Sequence, residues 1–93
     1  MQKVIFFYIK NCPYCAQARR ALAELISENP AYAQVEFEEH EEHEEEELAA
    51  QYDYWCTPSM FIGNEKIYES HLFEPYDEAK AHVKEVLERA LAE

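Results

Sequence analysis

Val4 to Ile9, VIFFYI, is an unbroken run of β-branched and aromatic residues, the pattern of a strand covered on both faces. Such a strand belongs in the middle of a sheet. Beyond it Pro13 suits the first turn of a helix, and Ala18, Leu22, Leu25 and Ile26 recur at helical spacing until Asn29-Pro30 interrupts them. AQVEFE, with Val35 and Phe37 alternating against polar neighbours, predicts a second strand, and helix-forming composition follows from about Glu44 onward. Gly63-Asn64 separates PSMFI from KIY and predicts a hairpin. Pro75 then opens a segment in which Ala79, Val83, Val86, Leu87, Ala90 and Leu91 share one face, an amphipathic helix. The order β-α-β-α-β-β-α predicts an α/β fold, a four-stranded mixed sheet flanked by three helices, with its parallel pair joined by a right-handed crossover. No linker or internal repeat divides residues 1–93, so a single domain is expected.

Composition narrows the function classes. With 48% hydrophobic and 14% aromatic residues the chain has the means to bury a core, which argues against disorder. A net charge of -12 disfavours general binding to nucleic acid or to an anionic membrane surface, since both reward clustered Lys and Arg. No apolar run approaches the roughly 20 residues of a membrane helix, and MQKVIFFYIK lacks the length and cleavage site of a signal peptide, so a cytoplasmic location is expected. Three cysteines, two of them close together, do not make a secreted disulfide framework. The charge is also unevenly spread. Lys3, Lys10, Arg19 and Arg20 stand before any acid, which leaves the other four bases against all twenty acids after Ala23, a balance of -16. Cys12-Pro13-Tyr14-Cys15 lies in the one basic segment.

A Cys-x-x-Cys between a first strand and the following helix is the signature of a thioredoxin-like redox site. Disulfide exchange needs a thiolate, and an ordinary thiol is mostly protonated at neutral pH. Cys12 would cap the first turn of the helix, where unpaired backbone N–H groups and the helix dipole favour negative charge, with Lys10 two residues away. Cys15, one turn in, would be more enclosed. Cys12 is therefore the expected nucleophile and Cys15 the resolving thiol, with Pro13 and Tyr14 as the loop that tunes them. Structural zinc is the competing reading, but it needs two further ligands, and Cys56 with one of His40, His43, His71 or His82 does not stand at a customary spacing. No metal ligands and no tightly bound cofactor are expected.

CPYC after an apolar strand, with TPSMFIG some forty residues later, resembles the glutaredoxin family over essentially the whole chain. The resemblance implies a thioredoxin-like fold and a dithiol–disulfide oxidoreductase that reduces protein disulfides or glutathione mixed disulfides, with glutathione as co-substrate. Carried over by position, Cys12 resembles the family nucleophile, Cys15 the resolving cysteine and Pro58 a cis-proline. Thr57 would offer its backbone to bound glutathione or peptide, in the manner of a short added strand. Lys10 and Tyr14 would complete the glutathione contacts. A monomer is expected, with glutathione or a thioredoxin reductase as electron donor and disulfide-containing proteins as partners.

Two departures from the family pattern bear on the donor. The lysine usual three residues before the first cysteine is here Lys10, two before it, and the Gly-Gly-Asp-like segment after the hairpin is replaced by IYESHLFEPYDEAK, with Ser70 and His71 at the glycine positions. Without glycine a backbone approaches a ligand less closely. A redoxin served by thioredoxin reductase is therefore one alternative. A non-catalytic iron–sulfur or zinc module is another, and CPYC counts against its cluster form. FEEHEEHEEEE, with His40 and His43 three apart, is expected to be a solvated acidic run. Cys56 is either a buried filler or a third redox thiol, and Trp55 is expected to pack or to cover a loop.

Overall fold

The computed structural model describes residues 1–92. Strand β1 spans Val4–Tyr8, β2 Phe37–Glu41, β3 Ser59–Ile62 and β4 Glu65–Glu69, and they form one sheet in the order β2-β1-β3-β4. β1 runs parallel to β2 and antiparallel to β3, and β4 returns antiparallel along β3. Helix α1 covers Pro13–Glu28, α2 is the single turn Glu46–Ala49, and α3 covers Tyr76–Leu91. This is the mixed four-stranded sheet with three helices that the pattern predicts.

The alternation of side chains along β1 divides the core in two. Val4 and Phe6 face α1 and α3, joining Ala18, Ala21, Leu25, Val83, Val86, Leu87 and Ala90. Ile5 and Phe7 face the other way, onto Ala49, Leu48, Tyr52, Tyr54 and Phe61. The Phe7 ring lies 4.9 Å from that of Tyr52 and 5.1 Å from that of Tyr54. Aromatics therefore do most of the covering on the face where α2 is only one turn long.

Two boundaries differ from expectation. AQVEFE predicts a strand from Ala33, but Pro30–Gln34 form a 3-10 turn, in which Asn29 Oδ1 accepts the Ala31 N–H, and the strand begins at Phe37. Val35 is buried from the connecting loop and not from the sheet, so its apolar character marks the core without marking a strand. β2 instead recruits Glu38, Glu39 and His40, because an edge strand needs only backbone pairing and a mostly solvated side-chain row. The helix expected from about Glu44 shrinks to Glu46–Ala49 for a related reason. Tyr52 and Tyr54 pack on Phe7 and Phe61 from the irregular segment that follows it.

Candidate active site

The turn from β1 to α1 positions the first cysteine. Asn11 adopts φ 64°, a left-handed conformation that asparagine tolerates better than most residues, and this reverses the chain just before Cys12. The carboxylate of Glu41, itself buried, supports the turn by accepting the Lys10 N–H at 3.0 Å and the His43 N–H at 2.7 Å. Cys12 then caps α1 and Pro13 occupies its first turn.

Across from Cys12 lies the loop before β3. The Thr57–Pro58 peptide is cis, the isomer implied for Pro58 by the resemblance. Cys12 Sγ is 3.8 Å from Thr57 Oγ1 and 3.9 Å from the Thr57 carbonyl oxygen. That loop is held from behind. Glu69 accepts the N–H groups of Trp55 (2.6 Å) and Cys56 (2.7 Å), the Ser59 hydroxyl donates to the Cys56 carbonyl at 2.5 Å, and the Ser70 hydroxyl donates to the Thr57 carbonyl at 2.6 Å.

The two thiols differ sharply. Cys12 is partly exposed and Cys15 is buried. Burial pushes the Cys12 thiol up, but the Cys15 N–H, the Cys15 thiol, the Thr57 hydroxyl and the Tyr14 N–H together outweigh it, so its pKa falls below the ordinary value. Burial, opposed by the Ile9 backbone and the Thr57 hydroxyl and aided by the neighbouring Cys12, raises Cys15 to about 11. Cys12 is the thiol poised to ionise.

The cations expected to assist do so less than the sequence suggests. Lys10 Nζ is engaged by Glu44 at 2.5 Å, and Arg19 by Glu39 at 2.7 Å while it lies over the rings of Phe6 and Tyr8. Arg20 lies over Tyr76. The acidic run folds back on the basic segment and pairs two of its cations, so local hydrogen bonds govern the Cys12 thiolate. His40 is likewise occupied, bridging Glu38 (2.6 Å) and Glu45 (2.7 Å).

A groove of about 400 Å³ runs along one side of the dithiol, lined by Tyr8, Lys10, Asn11, Cys12, Cys15 and Arg19 among others. On the other side a cleft of about 220 Å³ is bounded by Tyr14, Cys56, Thr57, Ser70, His71 and Leu72. The Tyr14 hydroxyl accepts the Phe73 N–H at 2.7 Å, tying the motif to the loop that carries Ser70 and His71. Trp55 is 91% exposed, so the packing role expected of it is not realised, and Cys56 is exposed and not a buried filler. Glu41 and Glu69, which brace the two loops, were not legible as site residues because nothing separates them in sequence from the other glutamates.

A glutaredoxin family model matches residues 4–67, which include both cysteines and the cis-proline loop. The chain belongs to the glutaredoxin family. No curated protein matches it. Among solved structures, thioredoxin 1 from the thermophilic eubacterium Thermosipho africanus TCF52B is similar at 15% identity and TM-score 0.57, over 96% of this chain and 98% of that one. A structure described as a malarial protein is similar at 16% identity and TM-score 0.57, over 89% and 93%. These two similarities establish a thioredoxin-like fold. Fold and family together mark this glutaredoxin-family chain as a thiol-redox protein, and no helix among its described residues is long and apolar enough to cross a membrane.

Proposed function

We propose that this protein is a dithiol–disulfide oxidoreductase that reduces protein disulfides or glutathione mixed disulfides through Cys12 and Cys15. The observation that carries the reading is the opposed state of the two thiols: an accessible Cys12 with lowered pKa beside a buried Cys15 raised to about 11. Cys12 as thiolate attacks one sulfur of the substrate disulfide, forming a Cys12–substrate bond and expelling the other sulfur as a thiolate that takes a proton. Cys15 then loses its proton and attacks Cys12 Sγ, breaking the mixed disulfide. The substrate leaves with two electrons gained, and the enzyme retains a Cys12–Cys15 disulfide. Thr57, with its carbonyl and hydroxyl within 4 Å of Cys12, and Pro58 would align an extended substrate beside the sulfur. Tyr14 would flank it.

A donor of two electrons must reopen the enzyme disulfide. Glutathione is the donor that the family resemblance favours, with Lys10 as a contact to its glycine carboxylate. A thioredoxin reductase is favoured by different observations: Ser70 occupies the position of a glycine, its hydroxyl is spent on the Thr57 carbonyl, and Lys10 is paired with Glu44. Oxidation of NADPH, followed with glutathione plus its reductase and separately with a thioredoxin reductase, decides between them. Cys12→Ser should abolish turnover with either donor, and retained turnover would sink the mechanism. Cys15→Ser should accumulate a Cys12 mixed disulfide detectable by intact mass.

A further inference from the structure

We propose that the loop after β4 and the first turn of α3 form a binding site for one divalent cation of the zinc type, with His71, Glu74 and Glu78 as ligands. One imidazole nitrogen of His71 and one carboxylate oxygen each of Glu74 and Glu78 lie within 4.8 Å of one another. It is the only group of three such residues among the described residues, and the longer acidic run around His40 and His43 forms none.

A second observation points to a ligand. Glu74 is 4% exposed; its Oε1 accepts the Tyr68 hydroxyl at 2.5 Å, while Oε2 is buried with no hydrogen-bond partner. A buried carboxylate oxygen left without a partner is costly, and native structures rarely keep one without a bound ion or water. Nor does a proton on His71 resolve the arrangement. It satisfies the His71 Nε2 contact with Glu78 Oε2 and leaves Glu74 Oε2 as it was. A divalent cation meets all three groups and balances the two carboxylate charges.

The surroundings are those of a ligand set. His71 Nδ1 lies 3.0 Å from the Leu72 carbonyl, so a proton donated there fixes the tautomer whose free lone pair is on Nε2, facing Glu78. Tyr68 holds Glu74 through Oε1, and its ring stacks on His82, whose Nε2 is 3.7 Å from Glu78 Oε2. Zinc bonds to nitrogen and oxygen of about 2.0–2.2 Å at tetrahedral angles hold ligand atoms about 3.4 Å apart, so seating an ion among atoms up to 4.8 Å apart takes up to about 1.5 Å of side-chain movement. One imidazole with two carboxylates suits zinc and cobalt better than calcium, which takes oxygen ligands. Because His71 also bounds the cleft beside Thr57, an occupied site would fix the wall of that cleft.

The dithiol would itself bind zinc, so the test uses the full chain with Cys12, Cys15 and Cys56 replaced by Ser, its fold checked by circular dichroism. Co2+ is titrated while visible absorbance is followed, and Zn2+ is then measured by displacement of Co2+. One equivalent should bind, without the sulfur charge-transfer band in the near ultraviolet. His71→Ala and Glu78→Gln, both at accessible positions, should each weaken binding at least about tenfold, since even outer partners of metal ligands cost that much. His43→Ala should change nothing. Absence of saturable binding, affinity unchanged in both His71→Ala and Glu78→Gln, or loss in His43→Ala instead would overturn the proposal.

Discussion

The asymmetry between the two thiols makes a prediction about their chemistry that needs no knowledge of the substrate. Cys15 is raised from the ordinary 9.0 to about 11, while Cys12 falls below 9.0. At neutral pH thiolate fraction drops tenfold for each unit of pKa, so two units make Cys12 at least about 100-fold more ionised than Cys15. A thiolate of higher pKa is intrinsically more nucleophilic, with a Brønsted slope of about 0.4–0.5, which returns roughly eightfold to Cys15. Ionisation alone therefore leaves Cys12 at least about tenfold faster, before the difference in access is counted: Cys15 is 3% exposed. The assay is alkylation of the reduced protein by iodoacetamide at pH 7, quenched at intervals and read by fragmentation mass spectrometry, with Cys12→Ser and Cys15→Ser as controls that each keep one thiol of the motif beside the exposed Cys56. Repeated from pH 5 to 10, the Cys12 rate should pass its midpoint below pH 9 while the Cys15 rate is still rising at pH 10. Alkylation of Cys15 within tenfold of Cys12, or a Cys12 midpoint at or above pH 9, would refute the stabilisation of the Cys12 thiolate by the helix N-terminus and Thr57.

Other consequences follow from the fold. Phe7→Ala removes a fully buried ring packed on Tyr52, Tyr54 and Phe61, and should cost about 3–5 kcal/mol in urea unfolding. Burial alone would lower the pKa of His40, but Glu38 and Glu45 more than reverse this and hold it above the ordinary value. Its contribution is thus full below the ordinary histidine pKa of about 6.5 and lost as pH rises through the raised folded value. The difference in melting temperature between wild type and His40→Gln should shrink as pH rises from 6 to 9, and a difference that grew would contradict the clamp. Tyr14→Phe loses the acceptor of the Phe73 N–H, so hydrogen exchange at Phe73 should speed up while the Cys12 alkylation rate at pH 7 stays within about twofold, since Tyr14 reaches Cys12 through its backbone N–H.

Much of this protein was legible in sequence because it rests on local rules. VIFFYI has the length and composition of a strand covered on both faces, Pro13 after a strand marked a helix start, and a Cys-x-x-Cys at that junction is the signature of a thiol-redox site. Those rules reached the element order and the unequal thiols. They failed where apolar residues serve the core from outside regular structure, as Val35 and Tyr52 do, and where polar residues line an edge strand, as in β2.

Tertiary structure decided the pairing of charge. In sequence, Lys10, Arg19 and Arg20 are a basic segment apart from the acids; in space β2 and the turn after it bring Glu39 and Glu44 onto two of them, while Arg20 lies over Tyr76. It also gave the glutamates their separate tasks: Glu41 under the Cys12 turn, Glu69 behind the Thr57 loop, and Glu74 buried with a free oxygen. A carboxylate's role depends on what surrounds it and on how far water is excluded, and both are set by residues distant in the chain. The motif alone singled out the two thiols that the structure holds in opposed states. The carboxylates that brace the loops around them took their places only when the acidic half of the chain folded against the basic one.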